Sequence, residues 1–261
     1  ISVKGVTMIL TIIKNFLPAA FASKRVKPVG SIVEVSQPIV KKEDDKKRKI
    51  QYILNVFETG YPEGNYGDVT RLYDGPGGRR QLTYGKTQTT QHSHLQELMN
   101  DYIAANGKYS KEFKGYNFKD YNLVNDQHLI SLLKKAGDDP VMKEIQDKFF
   151  DRRYWEPAMA WADKNGFKLP LSKLVIYDSF IHSGGILSFL RKRFSAVPPA
   201  KGGNEKEWIK QYTSTRHRWL AGHSRRILRK TIYRTRDMMR EISRENWNLD
   251  GPISANGTIV K

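Results

Sequence analysis

Apolar residues recur at helical spacing just after a charged stretch, and they predict the first helix of the chain. Positions i, i+3, i+4 and i+7 of one helix face are occupied by Ile50, Ile53, Leu54 and Phe57. The acidic residues at 43–45 suit the first turn of this helix, where negative charge is favoured, and Gly60 ends it. Glu58 is therefore predicted to lie in the last helical turn.

The same spacing continues through most of the chain and indicates a mainly helical protein. Short strands are predicted at residues 69–73 and 81–84, on either side of a turn at residues 74–80. A second helix has one apolar face formed by Leu95, Leu98, Met99, Tyr102 and Ile103. Further helices are predicted at residues 126–135, 140–150, 156–165 and 171–182, and two long basic helices near 205–220 and 224–247. The predicted fold class is α+β, mainly α, with one small sheet.

The first 42 residues differ in pattern from the rest of the chain. Residues 1–23 contain an apolar run that ends in Ala20-Phe21-Ala22, which resembles a secretory signal with its cleavage site. An ordered arm packed on the body is the alternative, and the run is too short for a transmembrane helix. We predict an arm or signal-like segment plus linker at residues 1–42 and the main domain at residues 43–261. A secretory signal would make this a secreted, extracellular protein.

The positive charge of the chain is concentrated near its C-terminus. The 261 residues carry a net charge of +18 and contain no cysteine, which excludes a disulfide framework and a thiolate metal site. Residues 161–261 hold 20 Lys and Arg against 8 Asp and Glu, whereas residues 51–160 hold 14 against 15. The C-terminal charge suggests contact with nucleic acid or another anionic polymer. A solvated helix face, with a few arginines turned inward, is the alternative.

Glu58 and Asp74 are the candidate reactive carboxylates. Glu58 lies at a predicted helix end, and Asp74 begins the turn Asp74-Gly75-Pro76-Gly77-Gly78. Carboxylates presented from a helix end and from a loop can flank a glycosidic bond as general acid and base. Alternatively, Glu58 is a solvated helix-end residue and Asp74 caps the turn, since Asp-Gly turns are common. No metal or cofactor is predicted, because His92 and His94 lie on different helix faces.

An ordered set of motifs over residues 45–252 gives a family resemblance. The chain resembles the glycoside hydrolase family 46 chitosanases, and no single motif carries the likeness. The matching pieces, in order along the chain, are Phe57-Glu58, Asp74-Gly75-Pro76-Gly77, Tyr84-Gly85, Leu95-Gln96-Glu97-Leu98, Asp151-Arg152-Arg153-Tyr154-Trp155-Glu156-Pro157-Ala158, Tyr177-Asp178 with His182, the 198–203 segment, Arg216 and the 248–252 segment.

The resemblance implies a lysozyme-like fold of two mainly helical lobes around a central cleft, with residues 43–261 as the bilobal catalytic domain. It implies that Glu58 is the general acid and that Asp74 activates water, with inversion at the anomeric carbon. It also implies that Asp178 lies between Arg216 and Arg234 in a buried network that tunes Glu58. The implied substrate is chitosan, cleaved within the polymer at β-1,4 linkages, without a cofactor.

Substrate contacts are expected along the glycine-rich strand and near the buried network. We assign them to Thr83, Tyr84, Gln88, Gln91 and His182. The family has an acidic residue after this strand that helps to hold the amino sugar, and this chain has Gln91 there, with Gln88 nearby. Thr83 is the candidate for the threonine that orients the water.

Two other functions stay open at this point. The same acid and base could cleave peptidoglycan of the bacterial cell wall, because Gln91 fits an acetylated sugar and the C-terminal basic helices suit an anionic wall polymer. The chain could instead be a non-catalytic protein that binds nucleic acid through residues 205–245. Chitosan is itself a polycation, so a positively charged protein requires a locally acidic cleft to bind it.

Overall fold

The structure, a computed structural model, describes residues 37–261, and the side chains of residues 44–261. The signal-like segment predicted at residues 1–23 lies outside the described residues. The strands are β1 (Val69–Leu72), β2 (Gln81–Tyr84), β3 (Thr89–Thr90), β4 (Ile253–Ala255) and β5 (Thr258–Val260). The helices are α1 (Gln37–Thr59), α2 (Gln96–Ala104), α3 (Ser110–Phe113), α4 (Gln127–Ala136), α5 (Pro140–Phe150), α6 (Glu156–Lys164), α7 (Pro170–Ser183), α8 (Ser188–Arg191), α9 (Glu205–Ala221), α10 (Arg226–Arg229) and α11 (Ile232–Ser243).

Two separate hydrophobic cores divide the described residues into two lobes. The first lobe packs α1, α6, α7, α9 and α11 together with β4 and β5, around Trp208 and Tyr177. The second lobe packs β2 with α2, α3, α4 and α5, around Tyr102 and Leu133. None of the helices within residues 37–261 is long and apolar enough to cross a bilayer.

A bent helix joins the two lobes. It consists of α5, a π-helical turn at Asp151–Trp155, and α6, and the backbone stays right-handed helical at both junctions. Asp139 caps the start of α5, where its carboxylate accepts a hydrogen bond from the N–H of Val141. Within the π-helical turn, Asp151 accepts hydrogen bonds from Lys47 (2.6 Å) and Gln51 (2.7 Å) of α1. The connecting helix is thereby fixed against the helix that carries Glu58.

A three-stranded antiparallel sheet, ordered β1-β2-β3, forms one edge of the second lobe. Val69 pairs with Tyr84 and Leu72 with Gln81, so residues 73–80 connect the two strands and include Asp74. Gly77 and Gly78 in this turn have φ values of 67° and 73°. These values lie in the left-handed region that side chains with a Cβ avoid, which accounts for the glycine pair.

Most of the predicted elements are confirmed, including α5 at its predicted bounds, and three are corrected. The first helix begins at Gln37, six residues before the acidic stretch at 43–45. The helix predicted at residues 224–247 is broken into α10 and α11. Like charges at i,i+4 spacing destabilise a helix, and Arg225 and Arg229 have this spacing before the break.

The C-terminal hairpin of β4 and β5 is a second sheet that the single-sheet prediction missed. Its two-residue turn is Asn256-Gly257, with φ values of 44° and 86°. Asn-Gly between alternating apolar residues is a strong local signal for a hairpin whose turn needs positive φ at both positions. The signal was therefore present in the sequence.

Candidate active site

Glu58 lies in the last turn of α1 and is buried, with 3% of its surface exposed. Gly60 ends the helix: its N–H donates to the carbonyl of Val56 at 2.9 Å, and its φ of 85° turns the chain away. The side-chain amide of Asn55 then donates to the carbonyl of Pro62 at 2.6 Å, which fixes the departing chain. The position of Glu58 is thus set by the helix end rather than by a free loop.

Glu58 is one of four charged side chains that form a buried cluster. Arg234 of α11 lies 2.6 Å from Glu58 through its Nη1, and its Nε donates to Asp178 of α7 at 2.7 Å. Arg216 of α9 donates to the other carboxylate oxygen of Asp178. All four side chains are at most 4% exposed, and their formal charges cancel. The structure thus brings together Glu58, Asp178, Arg216 and Arg234, which the sequence placed far apart.

Opposing effects determine the protonation of Asp178. Burial acts to raise the pKa of its carboxyl, but the charges of Arg234 and Arg216 outweigh burial and lower the pKa to about 2. The pKa of Arg234 is raised, because its two carboxylate neighbours outweigh its own burial. Asp178 is therefore an ionised centre that holds both arginines in place.

His182 lies one helical turn after Asp178 on α7 and is completely buried. Burial is the main reason that its pKa lies well below the ordinary value, and the charges of Arg234 and Arg216 lower it further. Its Nδ1 lies 3.4 Å from the hydroxyl of Ser183. His182 is therefore a neutral neighbour of the charged cluster at neutral pH and has no exposed surface for a sugar.

Tyr233 holds the same helix end and was missed in the sequence. Its hydroxyl donates to the carbonyl of Phe57 at 2.7 Å, and its ring packs edge-to-face on Phe57 at 5.8 Å. The guanidinium of Arg234 lies 5.3 Å from the same phenyl ring. Two consecutive residues of α11 thus contact Phe57 and Glu58, two consecutive residues in the last turn of α1. They are 176 positions apart in sequence, and no local pattern indicates the contact.

Asp74 lies in the other lobe, in the loop after β1. Its Oδ1 accepts a hydrogen bond from the side-chain amide of Gln81 at 3.0 Å. Its Oδ2 is enclosed but forms no hydrogen bond with the described residues. The loop folds back on itself, since the N–H of Gly75 donates to the carbonyl of Arg79 at 2.9 Å. One carboxylate oxygen is therefore held in place and the other is left unbonded.

The two glutamines assigned to substrate contact are buried, each with 1% exposure. The amide of Gln91 accepts from the N–H of Leu82 and donates to the carbonyl of Asp120. The amide of Gln88 donates to Asp68 at 2.7 Å and accepts from the hydroxyl of Thr70 at 2.9 Å. These bonds join the sheet to its surroundings and leave neither side chain directed at a sugar.

Thr83 and Tyr84, also assigned to substrate contact, lie on the fully buried strand β2. The hydroxyl of Thr83 lies 2.9 Å from that of Thr70 on β1, as a cross-strand pair. Tyr84 is enclosed in the second core, and burial raises its pKa. The described structure thus uses both side chains inside the lobe, and their contact with a sugar stays a prediction.

The charge cluster predicts a specific response of stability to acid. The pKa of Asp178 is lowered from 3.8 to about 2, so its stabilising effect is complete above about pH 4 and is lost as the pH falls toward 2. Asp178→Asn should lower the unfolding free energy by about 3–5 kcal/mol at neutral pH, because two buried arginines lose their partner. It should also flatten the loss of stability between pH 4 and pH 2. Urea denaturation at several pH values measures both effects.

Glu112→Gln is the matched control, since Glu112 is an exposed carboxylate of the other lobe. We expect it to change the unfolding free energy by less than about 0.5 kcal/mol. An Asp178→Asn variant as stable as the control at neutral pH would contradict the role given to the cluster.

Comparison with known proteins identifies the family of this chain. The family model of glycosyl hydrolase family 46 matches residues 53–253. A chitosanase from Bacillus subtilis (strain 168) is 30% identical over an alignment of 229 residues, and the match covers 80% of this chain and 81% of the relative. The family match spans both lobes, and its bounds include Glu58, Asp74, Asp178, Arg216 and Arg234.

Solved structures give the same result for the fold. Native chitosanase from Bacillus subtilis MY002 matches with a TM-score of 0.68 at 26% identity, over 83% of this chain and 98% of that chain. A mutant of that enzyme complexed with 6 GlcN matches equally well. A Gynuella sunshinyii family 46 chitosanase in complex with chitotetraose matches at a TM-score of 0.65 and 22% identity, over 82% and 96% of the two chains. With its lysozyme-like, mainly helical fold, the chain belongs to glycosyl hydrolase family 46 and is a glycoside hydrolase.

Proposed function

We propose that this enzyme cleaves β-1,4 linkages within chitosan by inversion, with Glu58 as general acid and Asp74 as general base. The observation that carries the proposal is the buried carboxylate of Glu58, held at a helix end against Arg234. The substrate is supported by the relatives, since one is a chitosanase and another is complexed with 6 GlcN. The assignment of roles is supported by the different settings of the two carboxylates.

Glu58 is the acid in this proposal. It donates its proton to the glycosidic oxygen while the bond from that oxygen to the anomeric carbon breaks. The carboxylate that forms faces the guanidinium of Arg234, 2.6 Å away in a site without exposure to water. A preorganised positive charge at the position where negative charge develops lowers the barrier of this step. Asp178 keeps the guanidinium in that position.

Asp74 is the base in this proposal. Gln81 fixes one of its oxygens, which leaves Oδ2 to accept a proton from the attacking water. The water oxygen bonds to the anomeric carbon on the face opposite the leaving group, which inverts the configuration. In this proposal the acid and the base come from different lobes, which suits attack from the opposite face.

The acid is tested by Glu58→Gln, which keeps the side chain's size and removes the transferable proton. We expect kcat on chitosan, measured from reducing ends, to fall about 10²–10⁴-fold with the melting temperature retained. Glu63→Gln is the matched control, because Glu63 is exposed and lies five residues further along the chain. Comparable activity of the two variants would refute the role of Glu58.

The stereochemistry is tested by proton NMR of the first products. A β-linkage cleaved with inversion should give the α-anomer as the initial new reducing end, followed by slower mutarotation. Initial formation of the β-anomer would show retention and would remove Asp74 as a base that activates water.

Tyr233 is a positioning residue for the same acid. Tyr233→Phe removes only the hydroxyl that holds the Phe57 carbonyl, so the last turn of α1 gains freedom next to Glu58. We expect kcat to fall about tenfold with little change in KM, since small displacements of a reacting group are costly. Tyr116→Phe, in the other lobe, is the control and should leave both constants unchanged. A change in KM alone would contradict the positioning role.

We further propose that the enzyme is secreted and that its C-terminal basic helices contact an anionic wall polymer. The signal-like residues 1–23 and the insoluble, extracellular nature of polymeric substrates support secretion.

The wall glycan as an alternative substrate was favoured by Gln91, but the amide of Gln91 is occupied inside the protein. If the enzyme reduced the turbidity of a bacterial wall suspension and left chitosan intact, the wall glycan would replace chitosan as the proposed substrate.

A further inference from the structure

An exposed group of basic side chains gathers around the loop between α9 and α11. We call it the arginine surface, and it consists of Lys192, Arg193, Arg218, Arg225, Arg226 and Lys230, all exposed. Eleven of the chain's 18 arginines lie in residues 191–244, against five of its 27 lysines. The local preference for arginine is notable, because the planar guanidinium matches phosphate with two parallel hydrogen bonds.

The arginine surface differs from other basic residues nearby in lacking acidic partners. Arg240 and Arg244 form ion pairs with Asp237 and Glu241, and Lys206 pairs with Glu245. No member of the arginine surface forms an ion pair with a carboxylate within residues 44–261. Residues 208–236 contain no Asp or Glu at all. The charge of this surface is therefore available to an anion.

A concave pocket lies within this surface. Arg193 and Arg218 line it together with Thr215, Trp219, Gly222, His223 and Ser224. The pocket therefore combines two guanidinium groups with hydroxyl side chains. Such a set of donors suits a tetrahedral anion that accepts several hydrogen bonds.

The loop that carries the arginines is internally fixed. Arg229 donates from Nη1 to the carbonyls of His223 and Ser224, at 2.6 and 2.8 Å. The N–H of Arg225 donates to Nδ1 of His223 at 3.0 Å. Burial and the charges of Arg225 and Arg229 lower the pKa of His223, which suits its role as an acceptor here. A loop ordered in this way loses less entropy when it binds a ligand.

The aromatic rings beside the pocket do not form a platform for stacked bases. Trp219 meets Phe189 at an interplanar angle of 69° and His223 at 78°, so the rings contact edge-on. The exposed ring of Phe189 lies under the guanidinium of Arg193, at 5.3 Å. Single-stranded nucleic acid needs open ring faces at successive positions. These contacts favour an anionic chain without aromatic bases.

We propose that the arginine surface binds a polyol-phosphate polymer, a chain of phosphodiester groups that carries no bases. This inference rests on the proposed function for the choice of a wall polymer as partner, and it assigns the contact to particular residues. The surface would tether the enzyme to a phosphate-rich matrix while the carboxylates of the active site act on the glycan.

In the test, the full chain is titrated with poly(glycerol phosphate) at several salt concentrations, and binding is measured by calorimetry. The test variant carries Arg193→Gln, Arg218→Gln, Arg225→Gln and Arg226→Gln. For the unmodified protein, the logarithm of the affinity should fall linearly with the logarithm of the salt concentration. The variant should bind about tenfold or more weakly and show a shallower salt dependence, since fewer phosphates are neutralised.

The matched control removes the same charge from exposed lysines of the other lobe, through Lys111→Gln, Lys114→Gln, Lys119→Gln and Lys135→Gln. It should lose less than about threefold in affinity. Cleavage of a soluble chitosan oligomer should be unchanged in both variants. The assay therefore distinguishes a failure of the polymer-binding proposal from a failure of the proposed hydrolytic function. Equal losses in both variants would overturn the proposal, as would no binding, or tighter binding of single-stranded DNA of equal charge.

Discussion

The ionised carboxylate of Asp178, buried between Arg216 and Arg234, is the interaction on which the active-site lobe depends. A buried charge without a partner costs several kcal/mol, so neither arginine could remain in this core alone. Because Arg234 also lies 2.6 Å from Glu58, the four side chains form one connected unit. The unit requires α7, α9 and α11 to converge on the end of α1. Packing around Trp208 and Tyr212 surrounds this convergence with apolar side chains.

The second constraint is that the two proposed catalytic carboxylates, Glu58 and Asp74, belong to different lobes. Glu58 belongs to the lobe of α1, and Asp74 belongs to the lobe of the three-stranded sheet. Their relation is therefore set by the helix that joins the lobes and by the contacts of its π-helical turn. Asp151, within that turn, binds Lys47 and Gln51 on the same helix that ends at Glu58. Interrupted helices of this kind are frequent at functional sites, because an extra residue in a turn redirects the helix.

Local pattern predicted most of the elements and placed Glu58 at a helix end, and it failed where side chains meet across long distances. The apolar spacing from Ile50 to Phe57 and the glycine after it place Glu58 at a helix end with no tertiary information. The contact from Tyr233 to Phe57 has no such signature. Gln88 and Gln91 show a second limit of local pattern, because a polar residue beside a buried strand can form hydrogen bonds with backbone groups of the protein itself. Asn256-Gly257, by contrast, was a readable signal.

Net charge is a poor guide to what this enzyme binds, because its arginines occupy three different environments. Arg216 and Arg234 are neutralised in the buried cluster, and Arg240 and Arg244 are neutralised by neighbours on the same helix. The arginine surface keeps its charge without such partners, whereas the nearly neutral residues 51–160 contain the two proposed catalytic carboxylates, Glu58 and Asp74. Electrostatic repulsion between exposed charges is screened within about 10 Å at moderate ionic strength. A polycationic substrate at the carboxylates and a polyanionic partner at the arginine surface are therefore compatible on one chain.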